Sequence, residues 1–525
     1  MTRLPRRALF AAPLLPTLAT AQTAPLLRIA TGGAVTSLDP HFHNSAPNNA
    51  VALHVFDRLV DRDERARLQP GLAESWRALD ETSWEFRLRP GVTWHDGKPF
   101  TADDVVFSFQ RAPAVPNSPG GFGGFLRSIA RIEAPEPLLL RITTRTPNPV
   151  LPNELAMVFI IARHAAEGLG TEDFNSTRAA IGTGPYAIAA YRPGERVELR
   201  RHAAHWTRPV WERVDYRFIT QDAARVAALL AGDVDMIDQV PSSDAARLAA
   251  NPRLTVSEIE SLRVMYLNFD RSRAEAPPGF ADADGGALAA NPLNNARVRR
   301  ALSLALNREG LVRQVMDGAA RPTGQWLPPG AFGHDPSIAP PAQDLDAARR
   351  LLAEAGFPRG FRMVLSSPTD RYPNDARTAQ AVAQMWTRVG VRTEVQALPW
   401  SAFASRSARQ EFGARLVGWG SPSGEASYLL INLLMTYSRE RGTGANNVVR
   451  YSNPALDALT DRATATIDDA AREDLLRQAT RMAMEDVAFL PMFQLVNQWA
   501  LRRGLAHRPR MDEYTLAMGV SPAAG

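Results

Sequence analysis

The clearest pattern of hydrophobic and polar positions lies between Pro70 and Arg111. In Ser83–Arg89 apolar and polar side chains alternate, and this period of two predicts a half-buried β-strand. The Pro90-Gly91 and Asp96-Gly97 pairs are typical of tight turns, because glycine accepts the positive φ that such turns require. Thr101 then stands where a helix N-cap residue is expected, and apolar residues follow it at helical spacing. The segment therefore predicts a compact unit of strand, turns and helix.

Strand and helix patterns alternate through much of the remaining chain. Asp215–Ile219 and Val234–Ile237 have strand patterns on either side of a helical Ala223–Leu230, and this order indicates a parallel α/β sheet. Further strands are predicted at Leu26–Thr31 and Met265–Asp270. Long helices are predicted over three segments: Asn153–Ala166, Asn295–Met316 and Asn453–Ala483.

The first 21 residues have the layout of a secretory signal peptide. A basic start is followed by an apolar stretch, Ala8–Leu18, and by the small-residue ending Ala19-Thr20-Ala21, so cleavage is expected before Gln22. Arg6-Arg7 directly before the apolar stretch is also compatible with a twin-arginine export route. The sequence has no Cys, which a lipoprotein anchor needs, so we expect an exported, unanchored protein of the periplasm.

Composition excludes several classes of function. With 525 residues, 45% of them hydrophobic and 22% charged, the chain is typical of a soluble protein of two or three domains. The formal net charge is +5, but no cluster of basic and aromatic residues indicates a nucleic-acid surface. The absence of Cys excludes disulfides, thiolate metal ligands and thiol catalysis.

Motifs for enzyme chemistry or metal binding are also missing. The nearest approach to a G-x-S-x-G nucleophile elbow, Gly420–Gly424, has Pro422 at the position of the nucleophile, and no H-E-x-x-H sequence occurs. A metal needs three or four ligands, so His41-x-His43 supplies half of a site at most, and the pair His202 and His205 is expected in a surface turn. We therefore expect a protein that is not an enzyme and that carries no metal or cofactor.

The segment at residues 84–109, WEFRLRPGVTWHDGKPFTADDVVFSF, resembles the signature of the family 5 extracellular solute-binding proteins of ABC importers. This family includes the dipeptide-, oligopeptide- and nickel-binding proteins. Two shorter motifs resemble the family as well: Leu38-Asp39-Pro40 after the first strand, and Gly182–Tyr186 (GTGPY), which marks the return to the first domain. The resemblance implies an α/β fold with two hinged lobes, the periplasmic-binding-protein fold of type II and cluster C, with an extra small domain.

The resemblance also implies how the chain is divided. The first lobe is expected to contain residues 22–66, 178–268 and 498–525. Residues 67–177 are expected to form the extra small domain, and residues 269–497 the second lobe. The chain then crosses between the lobes near Asp270 and near Val496, so the hinge is expected at these two crossings.

The loop Gly418–Tyr428 (GWGSPSGEASY) resembles the GWxxDYxDP loop of the family. In peptide-binding relatives the Asp of that loop pairs with the α-ammonium group of the ligand, because a buried charge needs a partner of opposite sign. Pro422 occupies that position here and carries no charge. Glu425 is a possible substitute, and the departure argues against the binding mode of a free dipeptide.

Other candidate ligand contacts come from the same resemblance. Arg371 stands near the position where dipeptide-binding relatives bind the ligand carboxylate, and a surface turn is an equal alternative. The predicted ligand-binding residues are His41, Phe42, His43, Asn44, Arg371, Trp400, Trp419, Ser421, Glu425, Asn446 and Phe493. For Trp400, Trp419 and Phe493 the alternative is packing in the core. For Asn446 the alternative is that it shapes a turn.

Together these features predict the periplasmic substrate-binding component of an ABC importer. It is expected to capture a peptide-like or other polar organic solute in the cleft between the lobes and to deliver it to the membrane permease, while a separate ATPase subunit hydrolyses ATP. We expect a monomer without a nucleic-acid partner. Alternative ligands are a metal chelate, haem, glutathione or an opine-like compound. A secreted hydrolase and a chaperone-like protein are the alternatives from other classes.

Overall fold

A computed structural model describes residues 25–523, so the signal peptide predicted for residues 1–21 lies outside the described residues. The strands are β1 (Leu26–Thr31), β2 (Val60–Arg62), β3 (Leu68–Pro70), β4 (Ala73–Ala78), β5 (Ser83–Leu88), β6 (Ile129–Glu136), β7 (Leu139–Thr144), β8 (Tyr186–Arg192), β9 (Arg196–Arg201), β10 (Arg213–Phe218), β11 (Met236–Ile237), β12 (Leu254–Phe269), β13 (Ala281–Asp282), β14 (Ala320–Pro322), β15 (Phe361–Pro368), β16 (Arg392–Leu398), β17 (Ala414–Gly420), β18 (Leu490–Arg502), β19 (Leu505–His507) and β20 (Val520–Pro522).

The α-helices are α1 (Ala46–Val55), α2 (Ala102–Arg111), α3 (Leu151–Leu155), α4 (Arg163–Ala166), α5 (Thr171–Asn175), α6 (Asp222–Ala231), α7 (Ser242–Ala249), α8 (Ala296–Leu304), α9 (Arg308–Gln314), α10 (Leu345–Glu354), α11 (Asp375–Thr387), α12 (Trp400–Ala408), α13 (Ala426–Leu429), α14 (Pro454–Ala465) and α15 (Asp469–Glu485). Among residues 25–523, none of the helices combines the length and the apolar character that a membrane crossing requires.

A mixed sheet of twelve strands organises the described part of the chain. Its order is β13-β15-β17-β12-β18-β11-β1-β10-β9-β8, and β14 and β16 join it by pairing with β18 and β15. β1 is parallel to both β10 and β11, and α6 connects the latter two strands. This arrangement confirms the parallel α/β unit that the pattern at 215–237 predicts. α6 ends at Gly232, whose φ of 84° is the left-handed conformation that glycine adopts without strain.

The two ends of this sheet pack into different hydrophobic cores. Leu27 and Val214 belong to the core at one end, and Leu365 and Leu416 belong to the core at the other. β12 passes from one side to the other, since its last residues lie in the second core while Leu254, at its start, packs beside β1 and β11. The molecule therefore has two lobes that are joined by β12 and its neighbour β18.

The pairing of β12 with β18 is interrupted between the lobes. The two strands run antiparallel, and their register shifts between Glu260, opposite Val496, and Val264, opposite Gln494. Such a bulge leaves residues out of the ladder and bends the strand. The irregularity lies beside Val496, near which the sequence predicts one of the two crossings. Asp270, the other predicted crossing, follows Phe269, which already lies in the second core.

The unit predicted for Pro70–Arg111 is present in the structure. Its strand is β5, which belongs to a second sheet of order β4-β5-β7-β6, and its helix is α2. The apolar residues of β5 are buried, as the alternation predicts. Glu85 on the polar face is buried as well, because Arg77 and Arg141 bind its carboxylate at 2.8 and 3.2 Å. At the start of α2 the Thr101 N–H donates to Asp104 Oδ2 at 3.0 Å, which completes the predicted N-cap.

The three long helices predicted from periodicity are each divided in the structure. Asn307 caps α9 by accepting a hydrogen bond from the Gly310 N–H, so α8 and α9 are separate helices. Asp468 caps α15 in the same way through the Ala471 N–H, which separates it from α14. A buried segment without helical structure, 156–162, separates α3 from α4. Apolar periodicity continues across these breaks because the flanking helices pack on the same core.

Candidate ligand-binding cleft

Three strands of the second lobe end at the same edge of the large sheet. β15 is parallel to β16 and to β17, so their carboxyl ends at Pro368, Leu398 and Gly420 point in one direction. In open α/β sheets, ligands bind in the crevice outside the carboxyl ends of the strands. Arg371 and Trp400 follow two of these ends directly, and Trp419 precedes the third, so the fold places these three predicted residues at one edge.

Arg371 and Trp400 form an exposed contact at this edge. The Arg371 guanidinium lies 5.3 Å from the centre of the Trp400 ring and 5.4 Å from that of Tyr372, and Trp400 is 36% exposed. Asp370 Oδ1 accepts the Trp400 N–H at 2.7 Å, which fixes the start of α12. Arg371 is exposed at its side chain, so its charge is available to an anionic group.

The loop that begins with β17 carries polar atoms without partners. Trp419 stacks on Tyr428 at 5.7 Å between ring centres. Trp419 Nε1, Ser421 Oγ and Ser423 Oγ are buried and have no hydrogen-bond partner within residues 25–523. Buried polar groups in native proteins are usually paired with protein or ordered water, and these three atoms share their unpaired status with others in the described core, such as Trp84 Nε1. The loop thus has unused hydrogen-bonding capacity where the sequence comparison with GWxxDYxDP places the ligand.

Glu425, the suggested substitute acid of this loop, is committed to an internal ion pair. Arg472 Nη1 lies 2.6 Å from Glu425 Oε1, and Ser427 Oγ donates to the same oxygen at 2.7 Å. The Arg472 guanidinium also lies 4.4 Å from the centre of the Phe332 ring. Because the Glu425 charge is already neutralised inside the second lobe, the structure argues against its prediction as the partner of a ligand ammonium group.

The loop meets the rest of the molecule across a seam between the lobes. Arg62 Nη1 donates to the Pro422 carbonyl, and Arg62 Nη2 donates to the Asn153 carbonyl at 2.7 Å. Asn153 Nδ2 donates to Glu425 Oε2 at 3.2 Å. Thus β2 and α3 contact the loop 422–425 directly, and Pro422 contributes its backbone carbonyl to this contact.

Glu154, which sequence reasoning missed, follows the seam residue Asn153 on α3. Its Oε2 accepts hydrogen bonds from Asn148 Nδ2 at 2.8 Å and from Ser128 Oγ at 3.2 Å. Burial raises the pKa of Glu154 to about 7, and the charge of Glu425 acts in the same direction, against the two hydrogen bonds and Arg127. No motif marks Glu154, because its burial depends on the tertiary packing around α3.

The predicted contacts from His41 to Asn44 are largely structural. His41 Nε2 donates to the Phe159 carbonyl at 2.8 Å, and His41 Nδ1 accepts from Arg111 at 3.2 Å. Burial lowers the pKa of His41 to about 4, so this fully buried ring is neutral, and the structure argues against it as a ligand contact. Phe42, His43 and Asn44 are partly exposed, and the Asn44 N–H donates to the Gly120 carbonyl at 2.7 Å.

Two further predicted contacts lie away from the seam. Phe493 is fully buried on β18 in the core of the second lobe, which supports the alternative of core packing. Asn446 is exposed, and its N–H donates to the Asn432 carbonyl at 2.9 Å. Its neighbour Asn447 is buried and donates to the carbonyls of Met435 and Tyr451, which shapes the turn.

The side chains at the edge of the second lobe are of types that contact organic solutes, and among residues 25–523 no set of metal ligands is clustered. Within residues 25–523, no group of three or more His, Cys, Asp or Glu side chains is arranged to hold a metal ion. His202 Nδ1 donates to the Gly184 carbonyl at 3.2 Å. His205 is buried beside Asp57, so the prediction of a surface turn is wrong for His205. The edge of the second lobe instead offers a guanidinium, indole rings and unpaired hydroxyl groups.

Comparison with known proteins identifies the family. The family model described as bacterial extracellular solute-binding proteins, family 5 Middle, matches residues 67–439. Heme-binding protein A of Haemophilus influenzae is 28% identical over 475 residues, which cover 85% of this chain and 82% of that protein. The dipeptide-binding protein of Escherichia coli K12 is 25% identical over 500 residues, which cover 90% and 89% of the two chains.

The fold agrees with solved structures of similar proteins. The structure of HbpA2 from Haemophilus parasuis superposes with a TM-score of 0.83 at 26% identity, and the match covers 95% of this chain and 100% of that chain. The two-lobed α/β architecture expected from the signature is therefore confirmed. The protein belongs to the family 5 extracellular solute-binding proteins of ABC importers.

Proposed function

We propose that this protein captures a peptide-like or other polar organic solute between its two lobes and delivers it to the permease of an ABC importer. The observation that carries the proposal is the edge at which β15, β16 and β17 end, since it faces a seam closed by Arg62 and Asn153. Members of the family are periplasmic or extracellular binding proteins rather than enzymes. The proposed role needs no reaction by this chain.

Capture would proceed by a change in the relative position of the lobes. A ligand that contacts both lobes binds the closed form more tightly than the open form, and it shifts the population toward closure by that difference in affinity. The bulge between Glu260 and Val264 supports a hinge in the strand pair that joins the lobes. We propose residues 22–66, 178–268 and 498–525 as the first lobe, 67–177 as the extra domain and 269–497 as the second lobe.

The ligand is proposed to carry at least one carboxylate and an apolar or aromatic portion. Arg371 supplies an exposed guanidinium for the carboxylate, and Trp400 and the Trp419–Tyr428 stack supply flat apolar surfaces. The similar proteins described above are named for heme and for dipeptides, and both kinds of ligand combine carboxylates with apolar groups. This chemistry supports a peptide-like solute or an organic acid of comparable size.

The location and the partners of the protein follow from the same proposal. We propose export by the signal peptide at residues 1–21, through either the Sec or the twin-arginine route, and action in the periplasm without a lipid anchor. The partners are proposed to be transmembrane permease subunits and a separate ATPase, and the binding protein is proposed to act as a monomer.

Native mass spectrometry of protein purified from the periplasm tests the proposal. The native mass is expected to exceed the protein mass by that of one organic solute, and denaturation should release this solute for identification. Adding the solute back to the emptied protein should change its tryptophan fluorescence. A protein that co-purifies with nothing, and whose fluorescence and melting temperature respond to none of a broad panel of peptides and organic acids, would contradict the proposal.

A further inference from the structure

The turn between β2 and β3 has an alanine in a backbone conformation that glycine usually adopts. The Asp63 N–H donates to the Arg67 carbonyl at 2.9 Å and closes the turn. Ala66, the residue before Arg67, has a φ of 61°. In hairpin loops of this kind a left-handed residue follows the tight turn, and glycine is preferred there because it has no Cβ atom. A left-handed alanine persists only where its surroundings hold it in place, so the contacts of Ala66 need an explanation.

Ala66 is buried where the two lobes are joined. Only 6% of this residue is exposed, and it packs in a small cluster with Leu262 and Met511. Leu262 lies in the interrupted part of β12, between the two positions at which the pairing with β18 shifts register. The methyl group of Ala66 therefore contacts the strand pair at the point where its ladder is broken.

Gly424 of the second lobe lies directly against Ala66. A Cβ atom at position 424 would be 2.8 Å from the Ala66 Cβ and 3.1 Å from the Ala66 carbonyl oxygen. Carbon atoms pack at about 3.5–4.0 Å, so the backbone of Gly424 approaches Ala66 more closely than a residue with a side chain could. Any larger residue at 424 would need a greater separation from the turn.

The two residues of this contact are held by different lobes. The Phe332 N–H donates to the Gly424 carbonyl at 3.1 Å, and Phe332 packs against the apolar cluster under α13 to α15 in the second lobe. The turn with Ala66 continues β2, whose residue Val60 is buried in the core of the first lobe. A change in the separation of Ala66 and Gly424 is therefore a change in the relative position of the lobes.

A chain of backbone hydrogen bonds runs beside the contact. The Met511 N–H donates to the Glu64 carbonyl at 2.9 Å, and the Leu262 N–H donates to the Met511 carbonyl at 3.1 Å. The Ser421 N–H donates in turn to the Leu262 carbonyl at 3.1 Å. The contact thus lies close to the joint between the lobes. Because rotation about a joint moves distant points farther than near ones, a small change in separation here displaces the far side of the cleft by more.

We propose that the contact of Ala66 with Gly424 sets how far the two lobes close, so that both residues control the affinity for the solute without touching it. This inference rests on the proposed function, because it requires capture by closure of the lobes. The two residues act as positioning residues. The apparent Kd rises as the population of the binding-competent form falls, so a variant that impedes closure weakens the binding of every ligand by the same factor.

Moving the methyl group from one side of the contact to the other tests the inference. Protein emptied of co-purified solute is titrated calorimetrically with glutathione, with the dipeptide Met-Leu and with the co-purified solute. Gly424→Ala is expected to raise the Kd about 10-fold or more, because it overfills the contact. Ala66→Gly should raise the Kd about two- to fivefold, the loss expected for one methyl contact.

The double variant, which combines both changes, gives the sharpest result. It has one methyl group at the contact and one left-handed alanine, as the wild type does, so it should bind within about fivefold of the wild type. Ala66→Gly thus weakens binding in the wild type and strengthens binding in Gly424→Ala. A role in folding alone would not produce this change of sign.

Gly194→Ala is the matched control for backbone strain. Gly194 has a φ of 72°, close to the 67° of Gly424, and no atom lies within 4 Å of the position of its Cβ. Its Kd should stay within about twofold of the wild type. Ala66→Gly relieves a left-handed alanine, so its melting temperature should change by less than about 3 °C, and its Kd keeps the inference testable if Gly424→Ala does not fold.

Small-angle X-ray scattering at saturating ligand provides a readout of closure. The radius of gyration is expected to be larger for Gly424→Ala than for the wild type and to recover in the double variant. Equal Kd values for Gly424→Ala and Gly194→Ala, a double variant that binds no better than Gly424→Ala, or an unchanged Kd in Ala66→Gly would overturn the inference and leave the transport role in place. If neither the probes nor any co-purified solute binds the wild type, both are refuted.

Discussion

Arg472 and Glu425 form an ion pair of 2.6 Å inside the second lobe, with side chains that are only 5% and 2% exposed. Removing Glu425 leaves the buried Arg472 with only the exposed Asp469 as its counterion, and breaking a buried pair typically costs about 3–5 kcal/mol. We expect Glu425→Gln to lower the free energy of unfolding by about that amount, as measured by urea denaturation. The pair holds the start of α13, so the loop before it should also become more susceptible to proteolysis.

Asp346→Asn provides the control for this prediction. Asp346 pairs with Arg349 on the exposed face of α10, and exposed pairs contribute less than about 1 kcal/mol. Equal effects of the two acid-to-amide changes would show that the Glu425 pair is not buried as the structure describes.

Glu154 makes the stability of the solute-free protein depend on pH. Its pKa is raised to about 7, mainly by burial, above the value near 4.5 of an exposed Glu. The folded state therefore binds more protons than the unfolded state between these values, and stability falls as the pH rises through 7. We expect Glu154→Gln to stabilise the protein by about 1–3 kcal/mol at pH 8 and to have little effect at pH 5. A stabilisation that is equal at both pH values would contradict this account.

His54 has the opposite dependence. Its Nδ1–H donates to the Ala50 carbonyl at 2.8 Å and its Nε2 accepts from the Ala517 N–H at 3.0 Å, so the ring must be neutral. Burial lowers the pKa of His54 to about 4. The unfolded state then takes up a proton that the folded state does not, and stability is lost as the pH falls from about 6.5 to 4.

The change His54→Gln should remove the one proton that the unfolded state takes up at residue 54 and the folded state does not. The variant is expected to be less stable than the wild type at pH 7, since it loses packing and hydrogen bonds. The difference should shrink by about 2 kcal/mol at pH 5, because each pKa unit corresponds to about 1.4 kcal/mol. Urea midpoints at the two pH values provide the measurement, and a difference that does not change with pH would refute the neutral assignment.

Arg371 is expected to contribute to binding and not to folding. Because its guanidinium is exposed and lies over the Trp400 ring, Arg371→Ala should leave the melting temperature within about 2 °C. It should raise the Kd for a carboxylate-bearing probe such as glutathione by about 10-fold or more. Arg377→Ala, at an exposed position of α11, is the control and should leave the Kd unchanged. Equal Kd values for wild type and Arg371→Ala would remove Arg371 from the site.

Local rules account for much of the fold that could be predicted. The alternation in Ser83–Leu88 and the N-cap at Thr101 depend on neighbouring residues, and both are present. The division of one predicted helix at Asn307 is a local signal that the apolar periodicity hides: Asn is a preferred N-cap residue, but the apolar pattern continues on both sides of it.

The site was harder to predict because its residues are defined by tertiary contacts. His41, Phe493 and Glu425 have residue types that suit a cleft, yet each is buried by elements distant in sequence, such as Phe159 for His41 and Arg472 for Glu425. Asn153 has no distinguishing local pattern, and it reaches the seam only because α3 packs against the loop after β17. The predictions of Arg371 and Trp400 come from the family resemblance, and the structure places both residues after strand ends that share one edge of a parallel sheet.

Hydrogen–deuterium exchange of the emptied and the solute-loaded protein tests capture between the lobes most directly. With the co-purified solute, or with Met-Leu or glutathione as defined probes, protection is expected to increase together in Gly418–Tyr428 of the second lobe and in Leu151–Leu155 across the seam. Segments remote from the seam, such as α6, should not change. Protection confined to one lobe, or absent while the solute is bound, would contradict capture in the cleft.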